Sequence, residues 1–135
     1  SVTYRGIVLN TDWERGGGVS VKNLPDVAGI YAEIYWERRG VRIGETKSIR
    51  KKIQHDKSWF KSMHNGAAPP DQLRRTIPIA ETAKAHGPEA FEFYVVCEDP
   101  LMKEKGLRQE CEKHLHALVG SNEKYENWNH QTSWR

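Results

Sequence analysis

Apolar residues recur along this chain with two different periods, and the switch from one to the other marks out its elements. Thr3 to Leu9 reads as a short strand, and Arg15-Gly16-Gly17-Gly18 follows as a turn or flexible loop. Val27 to Trp36 is rich in β-branched and aromatic residues and alternates as a strand does, and Val41 to Ile43 forms a second strand after Arg38-Arg39-Gly40, so the two predict a hairpin. Thr46 or Ser48 then offers an N-cap for a helix in which Ile49 and Ile53 share one face, with Arg50, Lys51 and Lys52 around the rest of the circumference. Ser62 to Asp71, containing Asn65-Gly66 and Pro69-Pro70, reads as a loop, and Gln72 to His86 as a helix that tolerates Pro78 and stops at Gly87. Phe91 to Cys97 alternates as a third strand. Leu107, Cys111, Leu115 and Leu118 mark the inner face of a last helix, and an irregular tail begins at Gly120 and runs to Asn127-Trp128-Asn129.

The order strand, hairpin, helix, helix, strand, helix predicts a mixed α/β (α+β) fold with a small, mostly antiparallel three-stranded sheet flanked by helices. At 135 residues and 37% hydrophobic the chain has core enough for one domain over 1–135. Its main body is expected over about 27–129, with the first strand and the Gly-rich loop in 1–26. No internal repeat interrupts it.

Composition narrows the chemistry only modestly. A formal charge of +3 permits a polyanionic partner without demanding one. Cys97 and Cys111 lie in unlike contexts without metal-ligand or disulfide spacing, which points to a reducing compartment, and no apolar run approaches a membrane span. The expectation is a cytoplasmic protein without a membrane role. His114 and His116 are two apart on a helix and so point in different directions, which argues against a zinc site.

The sharpest local signal is Gly29-Ile30-Tyr31, followed about ten residues later by Arg42-Ile43-Gly44 and then by the basic run Lys47 to Lys52. That ordered set, with Ala83 to Gly87 before the third strand, an acidic helix and a terminal Trp128-Asn129, resembles the GIY-YIG nuclease family over roughly Val27 to Asn129. Without a large appended DNA-binding domain, its build is similar to that of the compact members, such as phage endonuclease II and small restriction endonucleases.

The resemblance implies an endodeoxyribonuclease that hydrolyses phosphodiester bonds with Mg²⁺ or another divalent cation such as Mn²⁺. It implies Tyr31 as general base, a phenol that titrates near pH 10 unless nearby cations ease its proton loss. Arg42 stands where the family has its second tyrosine, and Lys52 matches the helix arginine, with Arg50 the alternative if the helix is rotated. Glu112 is the favoured metal ligand and Glu110 the second choice, since one carboxylate suffices for a cation that keeps most of its waters. Asn129 is expected to hydrogen-bond around the site and hold the tyrosine, and His55 is a second base or phosphate donor. Lys47, Arg50, Lys51, Arg74 and Arg75 are the candidate nucleic-acid contacts. Cutting both strands with one site per chain implies an oligomer on DNA, in a bacterial or phage-infected cell.

Each of these residues also has a plainer reading. Tyr31 can be a half-buried sheet tyrosine, Arg42 and Lys52 solvated charges, and Glu112 an ordinary helix-flank glutamate. The departures at Arg42 and Lys52 keep a second function open, a catalytically inactive nucleic-acid-binding protein on the same fold.

Overall fold

The computed structural model describes residues 1–68 and 77–129. In chain order these form β1 (Val2–Tyr4), β2 (Ile7–Leu9), β3 (Gly29–Tyr35), β4 (Gly40–Thr46), α1 (Ile49–His64), α2 (Ile77–His86), β5 (Glu92–Cys97), α3 (Lys105–Ser121) and β6 (Glu126–Asn127). The sheet is four-stranded in the order β5-β3-β4-β6, and β1 pairs with β2 as a separate two-stranded ribbon.

Two expectations are corrected here. Thr3 to Leu9 is not one strand but a hairpin, because Arg5 and Gly6 both take left-handed φ values of 50° and 82°, the geometry of a tight two-residue turn. The sheet gains a fourth strand, β6, which pairs parallel with β4 through Gly40↔Glu126 and Val41↔Asn127. The helix expected from Gln72 is described only from Ile77. Its first part lies outside the described residues, as do Pro69 to Asp71 of the expected loop, whereas Ser62 to His64 belong to the end of α1. At the other end, α3 continues through Gly120 to Ser121 before the tail begins.

β3 is the central strand and is buried on both faces, so its strict alternation divides the protein into two cores. Ile30, Ala32 and Ile34 pack with Val41, Ile43, Cys111, Leu115 and Val119 beneath α3 and the β1–β2 ribbon. On the opposite face Tyr31 joins Ile49, Ile53, Phe60, Met63, Ile79, Phe91 and Phe93 beneath α1 and α2. Glu33 lies on that second face between Tyr31 and Tyr35, and the register sets it opposite Arg42, just as it sets Tyr31 opposite Gly44.

Helix α1 starts where its cap requires. Ser48 has extended backbone and its Oγ accepts from Lys51 N. The N–H groups of Ile49 and Arg50 donate to the carbonyls of Val27 (2.9 Å) and Pro25 (3.1 Å). The entry of α1 is therefore bonded to the segment leading into β3. Ile53 is fully buried at the centre of its apolar face. Ile53→Ala should lower the unfolding free energy by about 2–4 kcal/mol with little change in denaturant sensitivity, checked by urea titration followed by circular dichroism.

Candidate active site

Three elements meet on the face of the sheet beneath α1, and a fourth reaches its edge. β3 brings Tyr31 and Glu33, β4 brings Arg42, α1 brings Lys52 and Asp56, and α3 brings Glu112 to the edge of the same group. The charges of Asp56, Arg42, Glu33 and Glu112 all act on the Tyr31 phenol. The structure thus assembles Tyr31, Arg42, Lys52 and Glu112, four of the residues singled out in the sequence.

Tyr31 is 1% exposed. Its ring crosses the opposing strand at Gly44, where an added Cβ would stand 2.2 Å from the hydroxyl oxygen, so only glycine lets the two strands pair with the phenol between them. Next to it the β3–β5 register shifts between Ile30 and Tyr31, an irregularity that re-aims side chains locally. The expected easing of proton loss from Tyr31 by neighbouring cations is present but outweighed. Burial raises its pKa well above 10, the Asp56 charge adds to that, and Arg42 only partly offsets them. In this arrangement Tyr31 is a neutral hydroxyl.

The nearby cations, moreover, already have carboxylate partners. Arg42 Nη1 lies 3.2 Å from Glu33 Oε1 and 3.9 Å from Asp56 Oδ2, and Lys52 Nζ lies 3.1 Å from Asp56 Oδ1. Both carboxylate side chains are completely buried, while those of Arg42 and Lys52 retain 15% and 22% exposure. Burial disfavours the charge on Arg42, but Glu33, Tyr31, Asp56 and Glu112 prevail and keep it firmly protonated. Glu33 is raised as well, which for a carboxyl favours the neutral form: burial and the nearby Asp56 charge lift its pKa well above the carboxylate range against the pull of Arg42.

Sequence reasoning missed both carboxylates. Each had a signal. Glu33 is the polar residue in an otherwise apolar alternation, and Asp56 falls on the stripe of Ile49, Ile53, Phe60 and Met63 that α1 buries. His55, one residue earlier, is exposed and lies against Trp59 with ring centroids 4.3 Å apart, and Lys52 Nζ stands 5.2 Å from the centre of that same Trp59 ring.

Glu112 is 9% exposed and sits beside the outer edge of β4. Burial and the Glu45 charge raise its pKa from 4.5 to about 7, while a backbone hydrogen bond from Glu45 and the charge of Arg42 work against that. Glu110 is placed elsewhere: it is exposed and bonds Arg5 at 2.7 Å, which ties α3 to the ribbon. Asn129 does not reach the tyrosine by any hydrogen bond of the described residues. Its Oδ1 accepts from Ile43 N at 2.5 Å, and His116 Nε2 donates to the carbonyl of the same residue at 3.0 Å. Together they occupy the edge of β4 beyond the point where β6 stops. Burial lowers the His116 pKa, in keeping with a neutral donor.

The remaining candidate contacts are dispersed. Arg50 is not a rotated alternative to Lys52, because its Nε donates to Leu24 O at 2.7 Å and braces the loop before β3. Lys47 and Lys51 are exposed around the start of α1, and Arg74 and Arg75 lie outside the described residues. Among the described residues no three His, Cys, Asp or Glu side chains converge as a metal cage. The donor chemistry nevertheless suits one hard cation bound mainly through water, since Glu112 is a carboxyl whose ionised form lacks a full counter-charge and Glu45 stands next to it, bonded to Arg108 at 2.7 Å. No helix of the described residues is long and apolar enough to cross a membrane. No family model matches this chain, and no curated protein or solved structure matches it either.

The raised pKa of Glu112 has a definite sign in stability. The folded state holds its proton more tightly than the unfolded chain, so its contribution is fully favourable below about pH 4.5 and is lost as pH rises to about 7. The full change corresponds to on the order of 3 kcal/mol. Glu112→Gln should therefore gain about 1–3 kcal/mol relative to the parent on going from pH 4.5 to pH 8, measured by urea unfolding at each pH. Parallel pH profiles for the two proteins would refute this assignment.

Proposed function

We propose that this chain is a nuclease of the GIY-YIG type that hydrolyses phosphodiester bonds in DNA with the help of a divalent cation. The observation that supports it best is the convergence of Tyr31, Arg42 and Lys52 from three separate elements on the face beneath α1, with Glu112 of α3 at the edge of β4 close enough for its charge to act on Tyr31 and Arg42. Arg42 and Lys52, the two partly exposed members, bind the phosphate, Arg42 through its planar fork and Lys52 as a point charge. The neutral Tyr31 hydroxyl orients the attacking water rather than carrying a resting negative charge. Glu112 is the residue that would hold a Mg²⁺ or Mn²⁺ ion, which would supply positive charge for the departing oxygen. Lys47 and Lys51 extend the contact along the backbone at the start of α1. Each chain contributes one such site, so a double-strand cut requires two protomers on the DNA or two successive nicks.

One observation favours a second reading. Arg42 and Lys52 are both engaged by buried carboxylates, and Tyr31 is held neutral, which is also how a protein that binds nucleic acid without cutting it would keep this fold.

Supercoiled plasmid separates the two. With Mg²⁺ the parent should nick or linearise it, EDTA should abolish the reaction, and Tyr31→Phe and Glu112→Gln should each lower the rate by about 100-fold or more, the scale of losing a positioned catalytic group. Binding that weakens steeply with salt but is never followed by cleavage, with Mg²⁺ or Mn²⁺, would select the binding protein.

A further inference from the structure

The buried carboxyl pair is a device that the nuclease reading does not by itself require. Glu33 and Asp56 come from different elements, both have no exposed side-chain area, and both approach the same guanidinium nitrogen of Arg42, at 3.2 and 3.9 Å. Three of their four oxygens, Glu33 Oε2 and both oxygens of Asp56, have no hydrogen-bond donor among the described residues, although Lys52 Nζ stands 3.1 Å from one of them. A buried carboxylate oxygen without a donor is unfavourable, and two like charges so close in a low-dielectric layer are more so. A single proton on the pair relieves both problems at once, since it supplies a donor and removes one negative charge.

Charge counting shows what such a proton would control. With both carboxylates ionised, Arg42 and Lys52 are balanced and the group is neutral. With one proton bound the group carries one net positive charge, the complement of one phosphodiester.

We propose that Glu33 and Asp56 are positioning residues that hold Arg42 and Lys52 side by side, and that a phosphodiester binds at these two cations together with the uptake of one proton by the carboxyl pair. The inference rests on the reading of this face as a phosphate site. The proton comes from solvent and no covalent bond changes. The groups facing the pair are Tyr31 on β3, Arg42 on β4 and Lys52 on α1, with Glu112 of α3 acting on Arg42 from beyond. Burial and the Asp56 charge already raise the pKa of Glu33 in the free protein, so the uptake is expected only at pH values above the Glu33 titration, where the free protein has lost that proton.

The test is binding of a fluorescently labelled DNA duplex in EDTA, at fixed ionic strength, from pH 6 to 9, for the parent, Glu33→Gln and Asp56→Asn. Gln at position 33 copies the protonated carboxyl, so it holds the site in its phosphate-accepting charge. Above the Glu33 titration the parent's affinity should fall by about tenfold per pH unit more than that of Glu33→Gln, and the variant should bind at least tenfold more tightly than the parent at pH 9. Glu112 and the histidines remain in both proteins and cancel in the difference. Calorimetry of the parent in two buffers of different ionisation heat needs no variant and should give close to one more proton taken up than with Glu33→Gln at the same pH. If Asp56→Asn does not fold, the comparison with Glu33→Gln and the calorimetry still decide. Equal pH slopes for parent and Glu33→Gln would overturn the proposal while leaving the nuclease reading intact if plasmid is cut. Different slopes without cleavage would uphold the proton-linked phosphate site and reject the nuclease. No binding by any form at any pH would overturn both.

Discussion

One buried acid governs the side of the sheet that faces α1. The alternation of β3 carries Glu33 into a layer otherwise made of Tyr31, Phe91, Phe93, Ile49 and Ile53. An unpaired carboxylate there would be prohibitive, and the register supplies Arg42 directly opposite. A guanidinium that is mostly buried has charge and donors to spare, and Asp56 answers it from α1. Asp56 in turn draws in Lys52, one helical turn earlier. Each ion explains the next. Apolar contacts at Ile53, Phe60 and Met63 press α1 onto the sheet but are indifferent to small rotations, whereas the ion contacts are directional. The pairs therefore act chiefly to fix how α1 is seated, since desolvation consumes much of their mutual attraction.

The other determinant is the outer edge of β4. A strand edge leaves N–H and C=O groups in need of partners, and β6 covers only its first two residues. Beyond that point side chains take over. Asn129 and His116 bond the two peptide groups of Ile43, and Glu112 receives a hydrogen bond from the Glu45 backbone. Closing this edge is what brings a carboxyl of α3 next to the residues of β3, β4 and α1. Asn129 thus belongs to the scaffold of the site, fixing the strand segment between Arg42 and Gly44.

The features legible in the sequence were those with a strong local cause. The β3–β4 hairpin, the Ser48 cap, the Ile49–Ile53 face and the alternation of β5 all follow from short-range patterns. The β1–β2 turn was passed over because Arg5-Gly6 sits inside an apolar run whose strand propensity masked it, and β6 because two residues in register with a distant strand have no pattern of their own. Around the site, the sequence located the residues but not their pairing. Tyr31, Arg42 and Lys52 were singled out by the family resemblance, while Glu33 and Asp56 became meaningful only once β3 was known to be buried on both faces and α1 to be seated on it. Glu110 and Glu112 are separated by helix rotation, and the structure pairs Glu110 with Arg5 of the ribbon while Glu112 lies at the edge of β4.

The arginine at position 42 reads differently in this light. Taken alone, it replaces a tyrosine of the proposed family and suggests a damaged site. Taken with Glu33, it is the residue that this chain requires there, because a tyrosine opposite Glu33 would leave a fully buried carboxylate without its nearest cation. The three residues are a coupled set: Glu33 calls for Arg42, Arg42 accommodates Asp56, and Asp56 holds Lys52 against the same face. Restoring a tyrosine at position 42 by itself would strand two buried acids and destabilise the fold, whatever it did for chemistry. Such a change becomes physically reasonable only when Glu33 and Asp56 are neutralised with it, so the departure from the family pattern has to be judged over the whole ion group rather than at one position.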